Sequence, residues 1–134
     1  MNKVEGHISG LEVSGSLSLV TVEFPGAINL KAIVIETPET APYLVTGHRV
    51  RMLFKETEVV LGTGDLESRV SLENQINGRV KHIEEGALLC RLLIGTAIGE
   101  LQAVISSRAA TRLGLKEGLP VTAMVKLNEI MLSE

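Results

Sequence analysis

The reactive side chains of this sequence exclude most of the chemistries that their types could support. His7, His48 and His82 and the single cysteine, Cys90, fall at no spacing that would gather them round one metal ion. Each histidine lies in ordinary strand or turn sequence, and Cys90 sits in ALLCRLLIG, where a thiol reads as a small buried hydrophobe. No Gly-rich loop ending in Lys-Ser/Thr is present to cradle phosphates, and no nucleophile elbow occurs. The carboxylates are scattered, with no pair spaced for acid–base work. What remains is a site for an anion. Ser106, Ser107 and Arg108 stand where a strand gives way to a short helix, and a helix start offers unpaired N–H groups and partial positive charge. The hydroxyls would add donors, and Lys126 a point charge if the fold brings it near. The same residues also read as a helix cap with solvated cations, and their types alone leave both readings open.

The elements that must position these residues are mostly strands. SLSLVTVEF (16–24) and NLKAIVI (29–35) alternate and are rich in β-branched residues. VRMLFKETEVVL (50–61) reads as two strand pieces around a Lys-Glu-Thr turn. INGRVKHI, ALLCRLLIG, ELQAVIS and VTAMVKLNEIML do the same work later in the chain. The exception is SSRAATRLGLKEG (106–118), where Ser106 or Ser107 can cap a helix over Ala109–Leu113 and Gly114 can close it. The earlier counterpart, TPETAPYLVTG (37–47), offers Thr37 as a cap, but Pro42 cuts any helix short.

These elements occur twice. NKVEGHI (2–8) and NQINGRV (74–80) share Asn, a branched apolar residue, Gly and a second branched apolar residue at one spacing. NLKAIVI matches ELQAVIS, and GHRVRMLFKETEVVL (47–61) lies on GLPVTAMVKLNEIML (118–132). Gly47/Gly118, Val50/Val121, Lys55/Lys126, Glu58/Glu129 and Leu61/Leu132 are identical in the last pair. The chain is therefore read as a first module over 1–63, a linker over 64–73 and a second module over 74–134. Each has about five strands and one short helical turn, the element count of a small OB-like Greek-key barrel. The expected fold class is all-β, two such barrels in tandem. Each is too small to bury a large core alone, so packing together or oligomerisation is expected.

Composition narrows the partners. A net charge of −3 and an aromatic content of 2% argue against nucleic acid, which calls for basic charge and stacking surfaces. No apolar run approaches the roughly 20 residues that span a bilayer, and MNKVEGHISG lacks the pattern of a secretory signal. One cysteine excludes an intrachain disulfide, and a reducing cytoplasm is the expected compartment.

The second module resembles the Mop family of small molybdate-binding modules, also called TOBE domains. The residues that carry the likeness are Ser71, Asn74, Gln75 and Gly78, then Ile105-Ser106, Leu113–Gly118 and Val121–Lys126. Through the internal repeat, the whole chain looks like a tandem Mop pair. The resemblance implies an OB-like barrel and non-catalytic binding of molybdate or tungstate for storage, homeostasis or sensing, with no cofactor beyond the anion. It implies an anion held at interfaces between modules and subunits, in a homo-oligomer, a trimer or a dimer. The site residues it implies are Ser71, Asn74, Ser106, Ser107 and Lys126, with Lys55 and Thr37 from the first module. Two positions depart from the family pattern: Glu73 where Arg is common, and Ala109 where a hydroxyl residue is common. These favour an alternative, an oligomerisation or regulatory interaction module, such as part of a molybdate-responsive regulator or transporter, with a weakened anion site.

Overall fold

The computed structural model describes residues 1–134. The first repeat folds as β1 (Asn2–Ser14), β2 (Leu17–Phe24), β3 (Ile28–Val34), β4 (Arg49–Phe54), a 3₁₀ turn (Glu56–Glu58) and β5 (Val60–Gly62). The second gives β6 (Asn74–Glu85), β7 (Leu89–Thr96), β8 (Gly99–Ser106), α1 (Ser107–Leu113), β9 (Pro120–Val125), a 3₁₀ turn (Leu127–Glu129) and β10 (Met131–Ser133). Alternation sets the inner faces: Ser18, Val20, Val22 and Phe24 point inward from β2, as Cys90, Leu92 and Ile94 do from β7. One contiguous cluster of buried apolar side chains runs through both repeats.

Two five-stranded sheets curl into OB-like barrels, but they do not divide the chain at the linker. The first sheet is ordered β10-β4-β1-β2-β3 and the second β5-β9-β6-β7-β8. Each repeat thus gives its last strand to the other's sheet. Val60, Leu61 and Gly62 pair with Met124, Ala123 and Thr122. Met131, Leu132 and Ser133 pair with Leu53, Met52 and Arg51. The registers are equivalent under the repeat, so the exchange is reciprocal. The 3₁₀ turns after Lys55 and Lys126 carry the chain across; the first lies against β8 and the second against β3.

The repeated glycine has a steric cause. A Cβ on Gly6 would lie 2.5 Å from the Glu23 carbonyl oxygen, and one on Gly78 would lie 2.6 Å from that of Gly95. The long first strand of each repeat crosses its neighbour too closely there for a side chain. Beyond this crossing both strands bulge, between Ile8 and Gly10 and between Val80 and His82.

The expected helices differ between repeats. In the second, Ser106 is the cap, its hydroxyl accepting from the Ala109 N–H, and Gly114 closes the helix in the left-handed region at φ 65°. In the first, Thr37–Ala41 forms a single hydrogen-bonded turn, Ala41 N–H donating to the Thr37 carbonyl at 2.7 Å. Pro42 blocks further winding.

Strand exchange makes a test of the C-terminus informative. Deleting residues 131–134 strips a neighbour from β4 of the opposite repeat. Amide hydrogen exchange is expected to accelerate in Arg49–Phe54 and to stay slow in Pro120–Val125. Loss of protection confined to Pro120–Val125 would contradict the exchanged arrangement.

Candidate functional site

The junction between the barrels is fastened by the first residue of each repeat's motif. Asn74 is 2% exposed. Its Oδ1 accepts from the Lys31 N–H at 2.8 Å and its Nδ2 donates to the Lys31 carbonyl at 2.8 Å. Asn2 repeats the arrangement on Gln102, accepting at 2.8 Å and donating at 2.9 Å. Lys31 and Gln102 are themselves equivalent under the repeat. Each carboxamide pairs with the edge of β3 or β8 as a neighbouring strand would, satisfying main-chain groups that closure of the barrel would otherwise bury unpaired.

Around this fastening, the second repeat's expected site residues gather only in part. Ser71, just before β6, and Lys126, just after β9, share a groove of about 240 Å³ with Ile33, Leu72, Glu73, Leu127 and Asn128. The pairing of Asn74 with Val125 brings the two segments to one end of the barrel. At roughly 30 Å³ per water, the groove holds several waters or one small anion. Lys126 is exposed, and neither it nor Glu73 forms an ion pair. Asn74 does not line the groove; its side chain is turned into the junction.

Ser106 and Ser107 do not line it either. The Ser106 hydroxyl caps α1. Ser107 Oγ donates to the Gly86 carbonyl at 2.8 Å and lies 3.5 Å from Cys90 Sγ. The strand exchange explains the separation. Lys126 crosses to β3 of the first repeat, while Lys55 leads into the turn that lies on β8, the strand ending at Ser106. By position, the serines therefore belong with Lys55. Thr37 follows β3, on the Lys126 side, and its N–H is not free to donate to a ligand because it donates to Thr40 Oγ1 at 2.9 Å. Beside Lys55, the Glu56 carboxyl is held below the usual carboxylate range, first by a hydrogen bond from the Met1 amino group and further by its own main chain and the Arg91 charge.

Sequence reasoning missed the fastening role of the two asparagines. The signal was present in the repeat itself, since Asn2 and Asn74 recur with Gly6 and Gly78 at the same spacing.

The fold and junction define a class, paired OB-like barrels joined by exchanged terminal strands. The chain belongs to the Mop/TOBE family: residues 70–132 match the TOBE domain. The chain is similar to molybdenum-pterin-binding protein 2 of Clostridium pasteurianum, 31% identical over 64 residues, covering 47% of this chain and 94% of that protein. The molybdenum transport protein ModE of Herbaspirillum seropedicae is 28% identical over 133 residues, 98% of this chain and 49% of its own. The chain spans about half the length of the longer curated relatives it matches. Among solved structures, the cytoplasmic molybdate-binding protein ModG with molybdate bound superposes with a TM-score of 0.91 at 28% identity, over 98% of this chain and 94% of that one. No helix is long and apolar enough to cross a membrane.

The fastening carries a stability prediction. Asn74→Ala removes the partner of both the Lys31 N–H and the Lys31 carbonyl, in part-buried surroundings, at a cost of about 1–3 kcal/mol in all. Ser71→Ala, on the exposed groove wall, should stay within about 0.5 kcal/mol of the parent. Urea denaturation of both variants reads the difference directly.

Proposed function

We propose that this chain binds a tetrahedral oxyanion, molybdate or tungstate, for storage, homeostasis or sensing in the cytoplasm. The observation that carries the reading is an uncommitted Lys126 beside Ser71, in a groove at the barrel junction, within a fold closely similar to that of ModG with molybdate bound. A dianion there would take a charge-assisted bond from Lys126 Nζ and a hydrogen bond from Ser71 Oγ. By the repeat, Lys55 with Ser106 and Ser107 forms the second candidate position, and Thr37, which follows β3, is the first repeat's candidate on the side of the first position. Asn74 acts by holding the walls. No thiol or imidazole is called on, so binding involves donors to oxygen and no ligation of the metal atom.

Calorimetric titration with molybdate, tungstate and sulfate tests this. The two larger anions are expected to bind and sulfate to bind more weakly; equal affinity for sulfate would leave only a generic anion site. Lys126→Met should lose about 1.5–3 kcal/mol, roughly tenfold to a hundredfold in affinity. Lys55→Met weakens binding only where the second position is also used. Unchanged affinity in a folded Lys126→Met protein would remove the assignment of this groove.

Assembly is part of the proposal. Ile35, Leu88 and Leu89 are 80%, 82% and 59% exposed, and Val13 and Leu17, which flank the β1–β2 turn, are exposed as well; exposed apolar side chains of this kind are suited to contacts between copies. A homo-oligomer, trimer or dimer, is expected, and light scattering at micromolar concentration should return a multiple of 14.4 kDa. A 14.4 kDa particle would count against it. The carboxylate of Glu73 in the groove favours the second reading, an interaction module of a regulator or transporter with a weakened site. Absence of measurable binding together with a stable oligomer would support that one.

A further inference from the structure

Glu73 is the one acidic residue in the lining of the Lys126 groove, and it lines a second cavity as well. That cavity, about 650 Å³ and capped by the linker, also carries Asp65 and Glu67. Glu73 therefore stands in the wall between an acidic cavity and the proposed anion position. No cation lies within ion-pair distance of it. Lys126, its only cationic companion in the groove, is equally unpaired. The groove thus brings one positive and one negative side chain to bear on whatever occupies it, with no net charge of its own to attract a dianion.

We propose that Glu73 is the affinity-determining residue of this groove, a fixed negative charge that weakens dianion binding at Lys126 without touching the donors that recognise the anion. The inference rests on the anion reading above. Two like charges a few ångströms apart in a solvated groove repel strongly enough to change affinity severalfold, and the double charge of the anion doubles the effect. Because the interaction is purely electrostatic and partly exposed, salt must screen it. Because it adds to every dianion alike, it lowers overall affinity and leaves the choice between molybdate and sulfate to the donors. Asp65 and Glu67 act in the same direction from the far side of the wall, at longer range.

The test compares the parent, Glu73→Gln and Lys126→Met, all in a Lys55→Met background that silences the second candidate position. Molybdate and sulfate are titrated by calorimetry in 20 mM and in 1 M sodium chloride. Glu73→Gln is expected to bind molybdate about tenfold more tightly at low salt, with the gain shrinking to threefold or less at high salt and the molybdate-to-sulfate ratio unchanged. Glu67→Gln should give a smaller gain. A parent that binds molybdate no more weakly than Glu73→Gln, while Lys126→Met binds less well, overturns this inference and leaves the anion site standing. A gain that salt does not reduce assigns the effect to shape and overturns it too. Failure of the parent and Glu73→Gln alike to bind molybdate overturns the anion reading and this inference with it.

Discussion

The reciprocal loan of one strand is the constraint on which the remaining structure depends. Neither barrel owns its fifth strand: the edge of β9 is covered by Val60–Gly62 and the edge of β4 by Met131–Ser133. An exchanged strand of three residues contributes few hydrogen bonds, yet it carries Leu61 and Leu132 across the junction and leaves Val59 and Ile130 buried behind them. A repeat of some sixty residues buries too little surface to be comfortably stable by itself. With one apolar cluster shared between barrels, neither repeat can open without uncovering the other, so the chain is expected to unfold as one unit rather than as two domains joined by a linker.

The residues the two repeats keep and those they vary separate along this constraint. Asn2 and Asn74, Gly6 and Gly78, and Lys55 and Lys126 are kept, and the first two pairs serve closure and fastening. What varies lies at the strand ends round the lysines. Ser106 and Ser107 stand where the first repeat has Ile35 and Glu36, and Cys90 where it has Ser18. The two inward positions make different uses of one place. Ser18 donates to the Glu36 carbonyl, while Cys90 lies beside the Ser107 hydroxyl. The architecture is thus nearly symmetric and its junction chemistry is not.

Much of this was legible in the sequence because it is local. Alternation marks β2, β3, β7 and β8, Ser106 and Gly114 bracket α1, and Pro42 tells that its counterpart stops at one turn. The repeat also revealed the paired barrels. The exchange was not legible, for a physical reason. Val60-Leu61-Gly62 and Met131-Leu132-Ser133 have the same apolar pattern, and their partner strands β4 and β9 are equivalent, so either pairing buries the same kinds of side chain. The five-residue connector from Phe54 to Val60 is short enough for a hairpin back onto β4, so length does not decide between the two. The candidate site residues divide accordingly. Lys126 and Ser106 belong together when each repeat is folded on itself, and apart once the strands cross. Ser71 and Lys126 stayed together because both flank the directly paired strands β6 and β9.

The exchange also determines how firmly the groove is held. Its wall from the first repeat is Ile33, two residues along β3 from Lys31, whose main chain is gripped by Asn74. Its other walls, Ser71 and Glu73, lie within three residues of the same asparagine, and Lys126 directly follows Val125, the strand partner of that asparagine. The buried carboxamide of Asn74 and the strand pairing of its main chain together fix three of the segments that face the groove relative to one another. Positions fixed by main-chain pairing cost little further order when an occupant arrives, and pre-organisation of this kind is what the proposed binding of a small, strongly hydrated ion by a few donors would require. The long side chain of Lys126 is the exception. It is exposed and unpaired, and it is the part of the groove with most freedom to lose on binding.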